Sequence, residues 1–298
     1  MKNAEVYQLV TDRLLFEIGE GNIPWRKPWR SPEGFSPIAV SHATGRFYRG
    51  INAFLLPPGE YVTFKGARAE GGSVRKGERG FQVVFWKLIE SKSDTVAVPQ
   101  ADGSVKQVGK VIPLLRFYTV FELSQCEGLK RRHSGDLVES EMVPDEVWGG
   151  YKNPPQLAVS PDRAFYRAAD DLVCVPHSSQ FDSMDEYFST FYHELVHSTG
   201  HASRLNRLGF MDSAAFASGD YSFEELVAEF GAAMLCAVSG VDNDAVTVNQ
   251  GAYLRVWLDA LSGDTSLAVR AASAAQKAVD HILGVTFDSK SENGEESK

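Results

Sequence analysis

The sequence predicts an α+β fold in two domains, a small N-terminal domain mixing helix with antiparallel sheet and a mainly helical C-terminal one. Three observations carry this. Charge divides by halves: residues 24–132 hold 18 Lys and Arg against 9 Asp and Glu, a balance of +9, whereas 151–298 hold 10 against 21, a balance of −11. Runs rich in β-branched and aromatic residues fall in the first half, while helical apolar spacing dominates the second. Between them residues 133–156, "HSGDLVESEMVPDEVWGGYKNPPQ", are acidic and rich in Pro and Gly. The expected layout is a first domain over 1–135, a linker over 136–155, a second domain over 156–287 and a disordered tail over 288–298.

The elements follow in order. Val6, Leu9, Val10, Leu14, Leu15 and Ile18 recur at helical spacing, and Gly19 and Gly21 end that helix. "GNIPWRKPWRSPEGFSP" is loop. "YVTFKGARAEGG" opens as a short strand and turns through its glycines. "GFQVVFWKLIE" and "LLRFYTVFELS" read as strands, with the polar stretch 91–110 as a hairpin loop between them. In the second half Ser183-Met-Asp-Glu186 reads as a capping box opening a helix over 184–199 that Gly200 stops. "YSFEELVAEFGAAML" (221–235) is a further helix. The tail, "DSKSENGEESK", has almost no apolar residue.

Composition narrows the class. With 43% hydrophobic residues in 298, the chain can bury a core. No run approaches the ~20 apolar residues of a membrane span, and the charged N-terminus does not read as a signal peptide. Three cysteines without CxxC pairing suit a reducing, cytoplasmic setting.

Chemistry concentrates in "FYHELVHSTGH" (191–201). On the expected helix His193 and His197 are i and i+4 and share a face, so two imidazoles can hold one zinc ion. Glu194 can then lean over the open coordination position and take a proton from the bound water, whose pKa the zinc lowers. This is the mechanics of the HExxH spacing. The competing reading is a helix that carries these letters by chance. Against it stand the cap, the aromatics Phe188, Phe191 and Tyr192 that mark a buried helix, and the cost of unpaired polar groups there. His201 is expected to turn away after Gly200. The third ligand is sought in the 221–235 helix, where Glu225 and Glu229 share a stripe. Glu225-xxx-Glu229 resembles thermolysin-like enzymes, in which an acid four residues beyond the ligand glutamate orients a metal-bound histidine. Glu225 is the expected ligand, with Glu229 behind it or as the alternative: if Ser222 and Glu225 formed a capping box, Glu229 would be the ligand and not Glu225. Glu224 is expected to be exposed. Tyr221 and Tyr253 are the candidates for stabilising an oxyanion.

The first half offers "WRKPWR" (25–30), then Arg46, Tyr48 and Arg49, and further cations at Lys65, Arg68, Arg75, Lys76, Arg79 and 130–132. Cationic grooves with aromatic platforms are how single strands are bound. Trp25, Arg26, Lys27, Trp29, Arg30, Arg46, Tyr48 and Arg49 are therefore the candidate nucleic-acid contacts. A solvated basic face, with Trp25 and Trp29 in a core or interface, is the plainer alternative. The glycine run "GARAEGGSVRKGERG" lacks the spacing of a phosphate loop.

Taken together, "PWRKPW", "GRFYRGINAFLL", "YVTFKGA", "VRKGERGFQVVFWK", "FYTVFELSQCEGL", "AFYRAADDLVCVP", "FYHELVHSTGHASRLNR" and "YSFEELVAEFGAAMLC" make the chain resemble the ArdC-type antirestriction proteins of conjugative plasmids over nearly its whole length. The resemblance implies an N-terminal domain that binds single-stranded DNA and a C-terminal zincin-like metallopeptidase domain, together protecting incoming plasmid DNA from host restriction. Carried over by residue, it implies His193 and His197 as ligands, Glu194 as base and the "EELVAE" helix as source of the third ligand. The partners implied are single-stranded DNA and a protein substrate it does not name. The second hypothesis is a non-catalytic single-strand coat whose metal site is structural or idle.

Overall fold

The computed structural model describes residues 2–26, 38–99, 105–133, 144–207, 219–242 and 250–285. The first helix, α1 (Asn3–Gly19), buries Val6, Val10, Leu14 and Ile18, the stripe its spacing predicts. A four-stranded sheet follows, built from β1 (Val40–Ser41), β2 (Glu60–Thr63), β4 (Phe81–Pro99) and β5 (Val105–Glu122) in the order β1-β2-β5-β4. The short helices α2 (Asn52–Leu55) and α3 (Phe64–Ala69) flank β2, and β3 (Ser73–Val74) pairs with β6 (Cys126–Glu127).

Two features depart from the expected sheet. β1 runs parallel to β2, because the turn after β1 and the helical α2 supply a crossover instead of a hairpin. The hairpin strands β4 and β5 also continue through much of the polar stretch 91–110 read as loop, with a register shift between Glu90 and Thr95. Asn52 caps one position on the outer edge of β4, its amide donating to the Val84 carbonyl at 2.7 Å while its oxygen accepts from Val84 N–H at 2.8 Å.

A buried polar knot fixes the end of this region. His42, 1% exposed, is hydrogen-bonded through Nδ1 to Glu60 and through Nε2 to Glu70 at 3.0 Å. Glu60 also accepts the backbone N–H of Arg132 at 3.1 Å and of His133 at 3.2 Å. These bonds outweigh the burial that opposes its charge, so the Glu60 carboxyl titrates below its usual range.

The second region opens with a helix, α4 (Pro144–Gly150), inside the segment expected as a linker, and Val147 and Tyr151 enter the core. A three-stranded sheet that the sequence reading did not anticipate comes next: β7 (Gln156–Ser160), β8 (Phe165–Arg167) and β9 (Leu172–Pro176), in the order β7-β9-β8. Four helices complete the fold: α5 (Met184–Ser198), α6 (Gly219–Ser239), α7 (Gln250–Gly263) and α8 (Leu267–Ile282). Ser183 caps α5, its hydroxyl accepting from Glu186 N–H at 3.1 Å, while Glu186 reaches back to Asp182 N–H at 3.0 Å. Such a cap stabilises a helix by about 1 kcal/mol.

One hydrophobic core joins the two regions. Val6, Val10, Leu14, Trp25, Ile51 and Leu55 from the first half pack with Phe230, Trp257 and the small face of α8, including Ala268 and Ala272. Arg49 bridges to Asp280 at 2.5 Å, and Thr11 Oγ1 donates to the Thr265 carbonyl at 2.8 Å. The core therefore crosses the expected domain divide. Residues 136–143 of the expected linker, and the tail over 288–298, lie outside the described residues.

Candidate metal centre

His193 and His197 project from one face of α5, and Glu225 meets them from α6. The histidine Nε2 atoms are 3.1 Å apart, and Glu225 places Oε2 3.5 Å from His193 Nε2 and Oε1 3.6 Å from His197 Nε2. All three donor atoms lie within 4.8 Å of one another, the one such group among the described residues. Ligands about 2.0–2.1 Å from a tetrahedral ion sit roughly 3.3 Å from each other. The observed separations bracket that value, and the donor set of two imidazoles and a carboxylate is one that divalent ions accept. The residues fit a divalent metal.

Helix packing makes the convergence possible. Gly231 of α6 lies against Val196 of α5, where an added Cβ would stand 2.6 Å from Val196 Cγ2. Only glycine allows the helices this approach. Leu195, Val196, Leu226, Val227 and Phe230 fill the interface around it. α6 begins at Gly219, so Ser222 is interior to the helix and no capping box at its start occupies Glu225. Glu224, expected at the surface, is 4% exposed and pairs with Arg207. The correction is physical: a partner with a fork of donors lets a carboxylate go below the surface.

Charges in the site are uneven. Burial opposes a proton on His193, but the Glu225 hydrogen bond and the charges of Glu229 and Glu194 outweigh it and push its pKa up to about 9. Burial, then the charge on His193, pushes His197 down to about 3. The two imidazoles therefore differ sharply, the proton being favoured on His193, beside Glu225. Glu194 is 9% exposed, and burial raises its pKa; the charge of His193 opposes, that of Glu225 adds, and the backbone N–H of Tyr166 on β8 opposes least. β8 is the outer strand of its sheet, so this N–H is free to fix the carboxylate. A buried carboxylate with a raised pKa is a stronger base than an exposed one.

The other expected residues distribute as follows. Glu229 stands outside the convergent group; it accepts a hydrogen bond from Tyr253 and its charge reaches His193. The Tyr253 hydroxyl also accepts from Trp25 Nε1 at 3.2 Å, and Arg26 lies 4.8 Å over the Tyr253 ring. His201 turns away as expected, bonded to Ser203 at 2.8 Å. Trp25, read as a nucleic-acid contact, is 1% exposed and packs edge-on against Phe230 at 5.0 Å and Trp257 at 6.0 Å, which leaves no ring face for a base. Arg46 is exposed; Tyr48, edge-on to Tyr61, and Arg49 are half-buried. Lys27, Trp29, Arg30 and the Tyr221 side chain lie outside the described residues.

The sequence reading passed over Arg204. Its side chain is fully buried; it donates to the Ser198 carbonyl at 2.8 Å and pairs with Asp171, tying the end of α5 to the turn before β9. The only signal for it was a pair of arginines just beyond the histidine motif.

The N-terminal domain of anti-restriction factor ArdC matches residues 4–121, and the zincin-like metallopeptidase family MPTase-PolyVal matches 153–274. The Mn(II)-bound crystal structure of the antirestriction protein ArdC from plasmid R388 is 32% identical, with a TM-score of 0.71 over 95% of this chain and 99% of that one. The chain belongs to the ArdC antirestriction family. It is also 33% identical to the DNA primase TraC of Escherichia coli over 93% of its own residues, but it spans only 20% of that protein's length. The uncharacterized protein y4eC of Sinorhizobium fredii (strain NBRC 101917 / NGR234) is 29% identical, with 96% of this chain and 94% of that one aligned. The metallopeptidase fold of the second half, the sheet-bearing first half and a divalent metal site follow. No helix among the described residues is long and apolar enough to cross a membrane.

Proposed function

We propose that this chain is an antirestriction protein that binds single-stranded DNA through its first half and carries a zinc-dependent peptidase in its second, protecting incoming plasmid DNA in the cytoplasm from host restriction. The observation that carries the enzymatic part is the meeting of His193, His197 and Glu225 beside the buried Glu194. His193, His197 and Glu225 are the ligands of one zinc ion, and Glu229 supports His193 from behind.

When bound, the ion polarises a peptide carbonyl and lowers the pKa of water. Glu194 accepts the attacking water's proton and passes it to the leaving amine, so the amide breaks without an unstable amide anion. Tyr166 N–H holds the Glu194 carboxylate in place.

The DNA-binding part rests on surface chemistry. Arg46, Lys65, Arg68, Arg75, Lys76, Arg79, Lys87 and Lys130 are all exposed in the first half. Phe47, Phe64 and Phe85 are 40%, 46% and 38% exposed among them, and Arg68 lies 4.9 Å over the Phe64 ring. Cations beside open rings suit a flexible strand of bases and phosphates.

Two measurements test the halves. Glu194→Gln should retain metal and DNA binding and lose peptide hydrolysis; if hydrolysis continues, the base is misassigned. Binding of the full chain to a single-stranded oligonucleotide should weaken steeply with salt, the logarithmic slope falling by about 0.7 for each phosphate contact removed. A slope unmoved by Arg68→Ala, Lys76→Ala and Arg79→Ala together would remove this face as the DNA site.

A further inference from the structure

The two helices that carry the site are clasped by a side chain outside the histidine motif and the glutamate pair. Arg207 follows His197 by ten residues and folds back on it. Nη1 donates to Thr199 Oγ1 at 2.8 Å, and Nη2 donates to the Val196 carbonyl at 3.0 Å. Nε and Nη2 reach the two carboxylate oxygens of Glu224 at 3.1 and 3.4 Å. One guanidinium therefore grips α5 on both sides of His197 and holds the α6 residue immediately before Glu225. The side chains are 12% and 5% exposed. A planar fork can satisfy these acceptors together, whereas an ammonium is a point charge that cannot.

We propose that Arg207 and Glu224 are positioning residues for the metal, setting the distance between the His193–His197 pair and Glu225. The proposal rests on the reading that those three side chains hold a divalent ion. Metal–ligand distances tolerate only about 0.2 Å, and Gly231–Val196 contact fixes the helices at a point six residues beyond Glu225. A second fixed point at Glu224 stops α6 from pivoting about the first. A buried ion pair adds little net stability over an apolar pair, but removing one partner strands a buried charge and destabilises the fold, so metal affinity has to be read beside unfolding.

The test is Mn2+ binding to the full chain by calorimetry, for wild type, Arg207→Lys, Glu224→Gln and Thr199→Val, beside urea unfolding of each metal-free protein. Arg207→Lys and Glu224→Gln should raise the Mn2+ Kd about tenfold or more, the usual scale for losing a ligand's supporting contact. Thr199→Val, which removes one leg of the clasp, should raise it less. If wild type fails to bind Mn2+, the metal reading falls and this proposal with it. If wild type binds and the folded variants bind equally tightly, the clasp is overturned alone. A lowered unfolding midpoint with an unchanged Kd marks a merely structural role and also overturns it. Should Arg207→Lys not fold, Glu224→Gln and Thr199→Val, which leave the guanidinium in place, decide the matter.

Discussion

Replacing Gly231 with alanine tests the packing logic of the site through a single added carbon. The new Cβ would lie 2.6 Å from Val196 Cγ2 and 2.8 Å from Cγ1. Carbon atoms in contact prefer about 3.5–4.0 Å, so α5 and α6 must part by roughly 1 Å. Overpacking of this kind costs about 1–3 kcal/mol, and the better helix propensity of alanine returns up to about 1 kcal/mol. Net stability should fall by about 0–2.5 kcal/mol, leaving the protein folded and measurable. The site is less forgiving. Displacing Glu225 by even half of that parting exceeds the ~0.2 Å that coordination tolerates, so the Mn2+ Kd should rise at least tenfold, equivalent to about 1.4 kcal/mol. Calorimetric titration of the metal-free protein reads this directly. The double variant Gly231→Ala with Val196→Ala removes both clashing methyls and leaves a contact of 3.3 Å to Cβ; it should recover most of the affinity even though the core loses volume. Wild-type affinity in Gly231→Ala alone, or no recovery in the pair, would refute the claim that this helix approach sets the coordination distance.

Other outcomes follow from the same structure. Glu60 is held below the usual carboxylate range by His42, His133 and Arg132. Its contribution to stability is therefore complete above the unfolded value of about 4.3 and is lost as pH falls through the folded one; Glu60→Gln should flatten the acid limb of a stability–pH curve, and an unchanged limb counts against the assignment. Trp25→Ala should cost about 3–5 kcal/mol in urea unfolding; a stability change near zero would return Trp25 to the surface. His193→Ala with His197→Ala should purify without divalent metal while keeping the wild-type circular dichroism, and retained metal would place the ion elsewhere.

Legibility from sequence depended on whether a feature was local. Helix α5 was readable to within a residue because its cap, its apolar stripe and its terminating glycine are all written into consecutive positions. The histidine pair was readable for the same reason. Glu225 was preferred to Glu229 only by its likeness to thermolysin-like sites, since both lie on one stripe of α6 and the choice depends on how that helix is rotated against α5. The sheet β7-β9-β8 escaped notice because its strands have five, three and five residues, and β7 leaves Leu157 and Val159 48% and 70% exposed instead of alternating cleanly. Trp25 misled for a related reason. Its neighbours are cations, which point to phosphates, but its ring fits a hole made by Phe230 and Trp257, more than 200 positions away.

That last contact changes how the two halves should be thought of. Opposite charge balances suggest separable modules, one for polyanion and one for protein. Yet Trp25 bonds to Tyr253, Tyr253 bonds to Glu229, and the charge of Glu229 acts on His193. The basic segment that begins at Trp25 thus starts one short polar chain away from the metal centre, and α1 buries its apolar face in a core it shares with α7 and α8. Cutting the chain near residue 135 would strip Val6, Val10, Leu14 and Trp25 of partners that come only from the second half. A fragment that failed to bind DNA would then report its own collapse and say nothing of the surface. Substituting exposed cations in the intact chain leaves the shared core alone, which is why the salt slope has to be measured there.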